Sequence, residues 1–378
     1  MIDETLLAEE FPHQEGIIYL NHAAVAPWPA RTAQAVKEFA QENIHYGASR
    51  YPNWVKKEDQ LRGQLQRLIN APSVDDIALL KNTSEGLSIV ASGIAWQSGD
   101  NIVSSDEEFP SNRIPWEAQG VHGVEFRQIN LKGDDPEAAL IQACDNKTRL
   151  LTISSVQYAS GLKLDLGRLG EFCKSNGILF CVDAIQSIGA THLDVQAIHA
   201  DFVMADGHKW MLGPEGVALF YARPKARDQL TLHQHGWHMV ESAGNYDLKT
   251  WKPANNAKRF ECGSNNMLGI HALSASISLF DELGMDKIEN DLMAITGYLM
   301  EQLMTLEGIE LLTPQYTKAR AGIVSFRFDG KNHGLIYQNL LKQGVICAYR
   351  GGGIRFSPHF YTSRKFIDKT LEVLSLTI

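Results

Sequence analysis

The sequence predicts an α/β protein: a large domain with a mostly parallel sheet between helices, plus a smaller C-terminal α/β domain. Two observations point to the large domain. Short runs that are apolar throughout, not alternating, mark strands buried on both faces. Helical patterns separate these runs, and strand–helix alternation implies a parallel sheet covered on both sides. A third observation marks the boundary: after about residue 265 the texture changes to long helices followed by short strand-like runs. The expected large domain spans 16–265 and the small one 266–378, with 1–15 joining the latter.

The elements follow in order. "DIALL" (76–80), "NIVSS" (101–105), "RLLTISS" (149–155), "ILFCVD" (178–183), "DFVMAD" (201–206) and "GVALFY" (216–221) read as strands. Pro136 opens a helix through "EAALIQAC", because its fixed φ suits the first helical position. A second helix, 165–176, puts Leu166, Leu169, Phe172 and Cys173 on one face and stops at Gly177. Beyond the boundary, "MLGIHALSASISLFDELG" reads as a long helix. The next carries Ile288, Leu292, Ile295, Leu299, Leu303 and Leu306 at steps of three and four. Strands are expected in 322–328 and 344–349, a short helix over 332–343, and a last helix over 363–375.

Composition narrows the function. A chain of 378 residues allows a large core and two domains. A net charge of −9 speaks against nucleic acid or an anionic membrane as partner. The longest apolar stretches, such as 89–96, fall short of the roughly 20 residues a membrane helix needs. The acidic opening "MIDETLLAEEF" has no basic region leading into an apolar block, so no signal peptide is expected. Cys144, Cys173, Cys181, Cys262 and Cys347 show neither CxxC pairing nor metal spacing, which suits reduced core thiols in a cytoplasmic protein.

Ligands of open parallel sheets gather at the carboxyl ends of strands. Asp183 closes one strand there, Ser154 and Ser155 another, and Asp206, His208 and Lys209 close or follow a third. Thr83 and Ser84 open a helix, where free N–H groups and the dipole favour phosphate. Each residue also has an ordinary use: a solvated lysine in a turn, a capping aspartate, a capped helix start. Together they suit one chemistry. A desolvated lysine amine forms a Schiff base with an aldehyde, and a buried aspartate pairs with a protonated pyridine nitrogen. Pyridoxal phosphate needs both, plus a phosphate cradle.

The order of motifs is more specific than any one of them. It runs "YLNHAAVAP" (19–27), "NTSEGLSIVA" (82–91), "EEFPSNRIPW" (107–116), "VQYASG" (156–161), "VDAIQSIGA" (182–190), "DGHKWMLGPEG" (206–216), "RFECGSNN" (259–266) and "IRFSPHFYTS" (354–363). On these the chain resembles the class V aminotransferases of the fold-type-I pyridoxal-phosphate enzymes. That branch includes cysteine desulfurases, selenocysteine lyases, isopenicillin N epimerase and kynureninase. The resemblance implies a fold-type-I architecture, pyridoxal 5′-phosphate as cofactor, a small amino-acid substrate and a homodimer with a shared active site. It implies Lys209 as the Schiff-base lysine and Asp183 as the partner of the ring nitrogen. Gln186 is implied at the phenolic oxygen and Phe109 on the ring face. Thr83, Ser84 and His208 are implied at the phosphate, Ser264 as a hydroxyl given to the phosphate across the dimer, and Arg355 as the grip on the substrate carboxylate. Tyr158 stands where desulfurases have an asparagine, and Asp206 where they often have a phosphate-binding serine; neither is assigned a role.

One departure bears on the reaction. Cysteine desulfurases carry a nucleophilic cysteine just after an arginine-glycine segment, whereas "AYRGGGIRF" has none after Arg350, and Cys347 precedes it in an apolar run. Persulfide-forming chemistry is therefore disfavoured. The expectation is a class V aminotransferase working through a carbanion at the substrate α-carbon, with a β-eliminating lyase or an epimerase as alternatives. A metal-dependent hydrolase is a distant alternative, resting on His233, His235 and His238 in "HQHGWH".

Overall fold

The computed structural model of the protein describes residues 3–12 and 14–378. A first short strand, β1 (Ile18–Tyr19), precedes seven that form one sheet. These are β2 (Ile77–Leu80), β3 (Asn101–Ser105), β4 (Glu125–Ile129), β5 (Thr148–Ser154), β6 (Leu179–Asp183), β7 (Phe202–Asp206) and β8 (Ala218–Ala222). Their order is β2-β8-β7-β6-β5-β3-β4. All neighbours are parallel except β8, which runs antiparallel to both β2 and β7.

Burial on both faces explains the unbroken apolar runs. Ala78, Ile102, Leu150, Cys181, Met204 and Phe220 face one cluster of the core; Leu79, Val103, Leu151, Val182, Val203 and Leu219 face the other. The edge strand β4 escapes sequence reading because its residues are half-buried or exposed and its charged positions break the apolar run. Helix ends follow their local chemistry. The Asp135 carboxylate accepts from the Ala138 N–H and that of Asp165 from the Arg168 N–H, and Gly177 ends its helix at φ 68°.

The C-terminal part contains β9 (Ile309–Leu311), β10 (Val324–Phe328), β11 (Val345–Ile346), β12 (Ala348–Arg350) and β13 (Gly353–Phe356). Four of them form an antiparallel sheet in the order β12-β13-β10-β9. The run expected as one strand over 344–349 divides at Cys347. Before it, β11 pairs in parallel with β1; after it, β12 pairs with β13. Partners more than 300 residues apart in sequence decide this break, so the local pattern cannot show it. The helix Met267–Leu283 packs on Ala30–Tyr46 and Tyr51–Leu68, tying the region after the boundary to the start of the chain. Among the described residues, no helix is long and apolar enough to cross a membrane.

Candidate active site

The carboxyl ends of β5, β6 and β7 open into a cavity of about 410 Å³. Its walls include Thr83, Ser84, Phe109, Asp183, Gln186, His208, Lys209 and Arg355, so one space gathers all but one of the expected site residues. The exception is Ser264, which is exposed and borders a separate cavity with Cys262 and Gly216. A larger cavity of about 700 Å³ lies within 235–252. Size alone does not locate the chemistry, because no strand residue lines that cavity and it lacks the buried lysine and aspartate.

Lys209 sits in a tight turn just beyond β7. The turn is closed by Leu212 N–H donating to the Lys209 carbonyl (3.0 Å) and Gly213 N–H to the Gly207 carbonyl (2.8 Å). The next residue, Trp210, is held on three sides. Its indole N–H donates to Gln186 Oε1 (2.8 Å), its carbonyl accepts from His359 Nε2 (3.1 Å), and its ring lies against Gly322. A Cβ at Gly322 would fall 2.2 Å from that ring, so a side chain there would displace the lysine-bearing turn. The Lys209 ammonium makes no side-chain hydrogen bond or ion pair among the described residues. Its amine lies 5.7 Å from the centre of the Phe109 ring. Burial, opposed by attraction to Asp183, pulls the ammonium down to about 8.

Asp183 is 2% exposed. One carboxylate oxygen accepts from the Ile185 N–H at 3.1 Å. Burial pushes the group up to about 7, and the nearby Glu108 carboxylate adds to the rise while Lys209 opposes it. Arg355, on β13, is also 2% exposed. It donates from Nη1 to the Tyr158 carbonyl (2.7 Å) and from Nη2 to Asn21 Oδ1 (3.4 Å), while Nε has no partner. No carboxylate of the described residues pairs with it, and burial pulls it down to about 10. A buried guanidinium without an anion costs on the order of several kcal/mol, which an incoming carboxylate would offset.

The opposite end of the cavity is built for an anion. Helix Thr83–Gly93 starts there, capped by the Asn82 side chain accepting from Glu85 N–H (2.9 Å), which leaves the first N–H groups facing the cavity. Thr83 Oγ1 accepts from Asp206 N–H (3.0 Å) and keeps its own proton to donate; Ser84 donates to Ser111 (2.8 Å). His208 Nδ1 lies 3.1 Å from Asp206 Oδ1, yet neither atom makes a well-aligned hydrogen bond. Asp206 thus faces the His208 ring. Gln186 gives its oxygen to Trp210 and one N–H to the Ala23 carbonyl (3.0 Å), leaving one N–H for a ligand. Phe109 is 43% exposed and meets Tyr158 edge-on at 5.2 Å.

A buried lysine amine, a desolvated carboxylate, an unpaired buried arginine, an exposed ring face and a helix start therefore line one cavity. This donor set fits pyridoxal phosphate at every functional group. The metal reading finds no such support. His235 packs on Trp251, His238 lies 3.8 Å from Glu261, and His233 borders another cavity. Among the described residues no three potential ligands converge.

Sequence reasoning missed Glu108, Asn21, Arg350 and the Ala23 carbonyl. Each lies in or beside a motif that resemblance had marked, but only folded partners reveal its contact.

Comparison with known proteins identifies the family. Residues 18–365 match the family model for aminotransferase class-V. A probable cysteine desulfurase of Methanothermobacter thermautotrophicus is 31% identical over 94% of both chains. A cysteine desulfurase of Salmonella typhimurium is 30% identical over 84% of this chain and 79% of its own. Among solved structures, the apo cysteine desulfurase of Thermococcus onnurineus superposes with a TM-score of 0.87 at 25% identity, covering 100% of this chain and 98% of that one. A C-DES variant with glycine covalently linked to its pyridoxal-phosphate cofactor shares the fold, with a TM-score of 0.90 at 23% identity over 97% and 98% of the two chains. The chain belongs to the class-V aminotransferase family, and its cofactor is pyridoxal 5′-phosphate.

Proposed function

We propose that this enzyme breaks the Cβ–sulfur bond of a small sulfur-bearing amino acid and releases the sulfur to solution, with no protein cysteine receiving it. The site chemistry supports an amino-acid substrate, and relatives about 30% identical are named cysteine desulfurases. The observation that carries the sulfur's fate is the hairpin between β12 and β13. Arg350 pairs directly with Gly353, so the connection is only Gly351 and Gly352, at φ 57° and 78°. A turn this tight has no room for a thiol-bearing loop over the cavity. None of the five cysteines lines the site either. Cys347, the nearest in sequence, is buried and pushed up to about 12, far from the thiolate a nucleophile requires.

The residues divide the work. Lys209 would hold the cofactor aldehyde, Asp183 the ring nitrogen, Phe109 the ring face, and Thr83, Ser84 and His208 the phosphate. The cofactor, when bound, supplies an electron sink that makes the substrate Cα proton acidic. Arg355 takes the α-carboxylate and so fixes which bond at Cα faces Lys209. The Lys209 amine, freed when the substrate amine takes its place on the cofactor, would take the Cα proton. The Cβ–S bond then breaks with its electron pair on sulfur, which leaves as sulfide. Water hydrolyses the released enamine to pyruvate and ammonia. The balance is cysteine plus water giving pyruvate, ammonia and hydrogen sulfide. Ser264 is exposed and outside its own chain's cavity, which supports a role in the site of a second copy of the chain.

The test is product analysis with L-cysteine under reducing conditions. Equal amounts of sulfide and pyruvate are expected. Alanine as the main product would refute release without a protein thiol, and conversion of the cofactor to its amine form would favour transamination.

A further inference from the structure

Glu108 is 5% exposed, and no cation pairs with it within contact distance among the described residues. Four donors surround it. Oε1 accepts from Ser154 N–H (2.8 Å) and Gln157 Nε2 (2.8 Å); Oε2 accepts from Ser154 Oγ (2.5 Å) and Asn112 Nδ2 (2.9 Å). Burying a carboxylate without a counter-charge is unfavourable, and these four bonds are what make it tolerable.

The partners give the arrangement its meaning. Glu108 precedes Phe109, the ring face of the cavity. Gln157 precedes Tyr158, whose carbonyl accepts from Arg355 Nη1 (2.7 Å) and whose ring meets Phe109 edge-on. Gln157 is fully buried, and its side chain makes this bond alone, since its Oε1 has no partner. We propose that Glu108 is a positioning residue for substrate recognition: through Gln157 and the Tyr158 main chain it sets the place of the Arg355 guanidinium relative to the Phe109 face. This rests on the assignment of the substrate carboxylate to Arg355, not on the fate of the sulfur.

The test uses the cofactor-loaded enzyme and a pair of non-eliminating amines, L-alanine and ethylamine, which differ in the carboxylate. Dissociation constants come from the shift in cofactor absorbance. The wild type should prefer alanine, because only alanine carries a carboxylate for Arg355. Glu108→Ala should cut that preference about tenfold while ethylamine binding stays near the wild-type value. Glu108→Gln should restore it in part, because the amide oxygen can keep the Ser154 N–H and Gln157 bonds and Ser154 Oγ can reverse toward the new NH₂, whereas the Asn112 NH₂, fixed by Trp116 and Thr152 on its oxygen, loses its acceptor. Gln157→Met, which removes only the donor, should repeat the loss and serves if Glu108→Ala does not fold. Equal weakening of both amines, or an unchanged preference in both variants, would overturn the proposal. Arg355→Ala is the control. If it too leaves the preference unchanged, the carboxylate assignment has failed, and the Glu108 proposal fails with it.

Discussion

Replacing Asp183 by asparagine should stabilise the protein without its cofactor while crippling the loaded enzyme. In the apo protein the carboxylate is buried, with the Ile185 N–H as its hydrogen bond and no contacting cation among the described residues. Its affinity for a proton rises from the usual 3.8 to about 7. At about 1.4 kcal/mol per unit, a rise of three units means the ionised form costs about 4 kcal/mol of apo stability above pH 7. The sign follows from the raised value. Between pH 4 and 7 the folded state binds the proton that the unfolded state has released, so wild-type apo stability increases as pH falls. Asparagine keeps the Ile185 bond and carries no charge. Apo Asp183→Asn should therefore gain stability at pH 8, by at most about 4 kcal/mol because the Lys209 ammonium loses its attraction to the carboxylate, and the gain disappears toward pH 4. For 378 residues this corresponds to a rise in Tm of about 4–5 °C. Calorimetry of cofactor-stripped protein across pH measures it. With cofactor bound, the same change would remove the proposed partner of the ring nitrogen and should slow turnover about a hundredfold or more. An apo variant less stable than wild type at pH 8, or a difference that does not shrink in acid, would refute the argument that Asp183 is strained by burial.

Further outcomes follow from the same geometry. Lys209→Ala should lose the borohydride-fixable cofactor, checked by absorbance after reduction and gel filtration. Arg355→Ala should raise KM for the amino acid by about ten- to a hundredfold, from loss of a charge-assisted bidentate contact, measured by steady-state kinetics. Cys347→Ala should leave sulfide release within about twofold of wild type, because the thiol lies outside the cavity; a loss resembling that of Lys209→Ala would show it to be catalytic. If Ser264 serves a second copy, sedimentation should give a dimer, and Ser264→Ala should weaken cofactor binding without dissociating it.

Much of the site is legible because the fold puts polar residues where buried strands end. Asp183 and Lys209 interrupt or follow runs with no other reason to turn polar, and the burial of β6 and β7 explains both. Helix starts announce themselves too, through Asn82 and the hydroxyls after it. What stays hidden depends on distant partners. Glu108 resembles any acidic residue of "SSDEEF" until Ser154 and Gln157 fold against it. The break at Cys347 reflects pairing with Ile18–Tyr19, across most of the chain. Asp206 shows its neighbour only in the fold, where His208 stands 3.1 Å away. The hairpin lies between these cases. Its missing cysteine is visible in "AYRGGGIRF", but only the Arg350–Gly353 pairing shows that the thiol-bearing loop has no room.

Intact-mass spectrometry of the enzyme during turnover of L-cysteine tests the central claim most directly. The account predicts an unmodified polypeptide at every time point while sulfide and pyruvate accumulate together. A population heavier by one sulfur atom, accompanied by alanine, would contradict it.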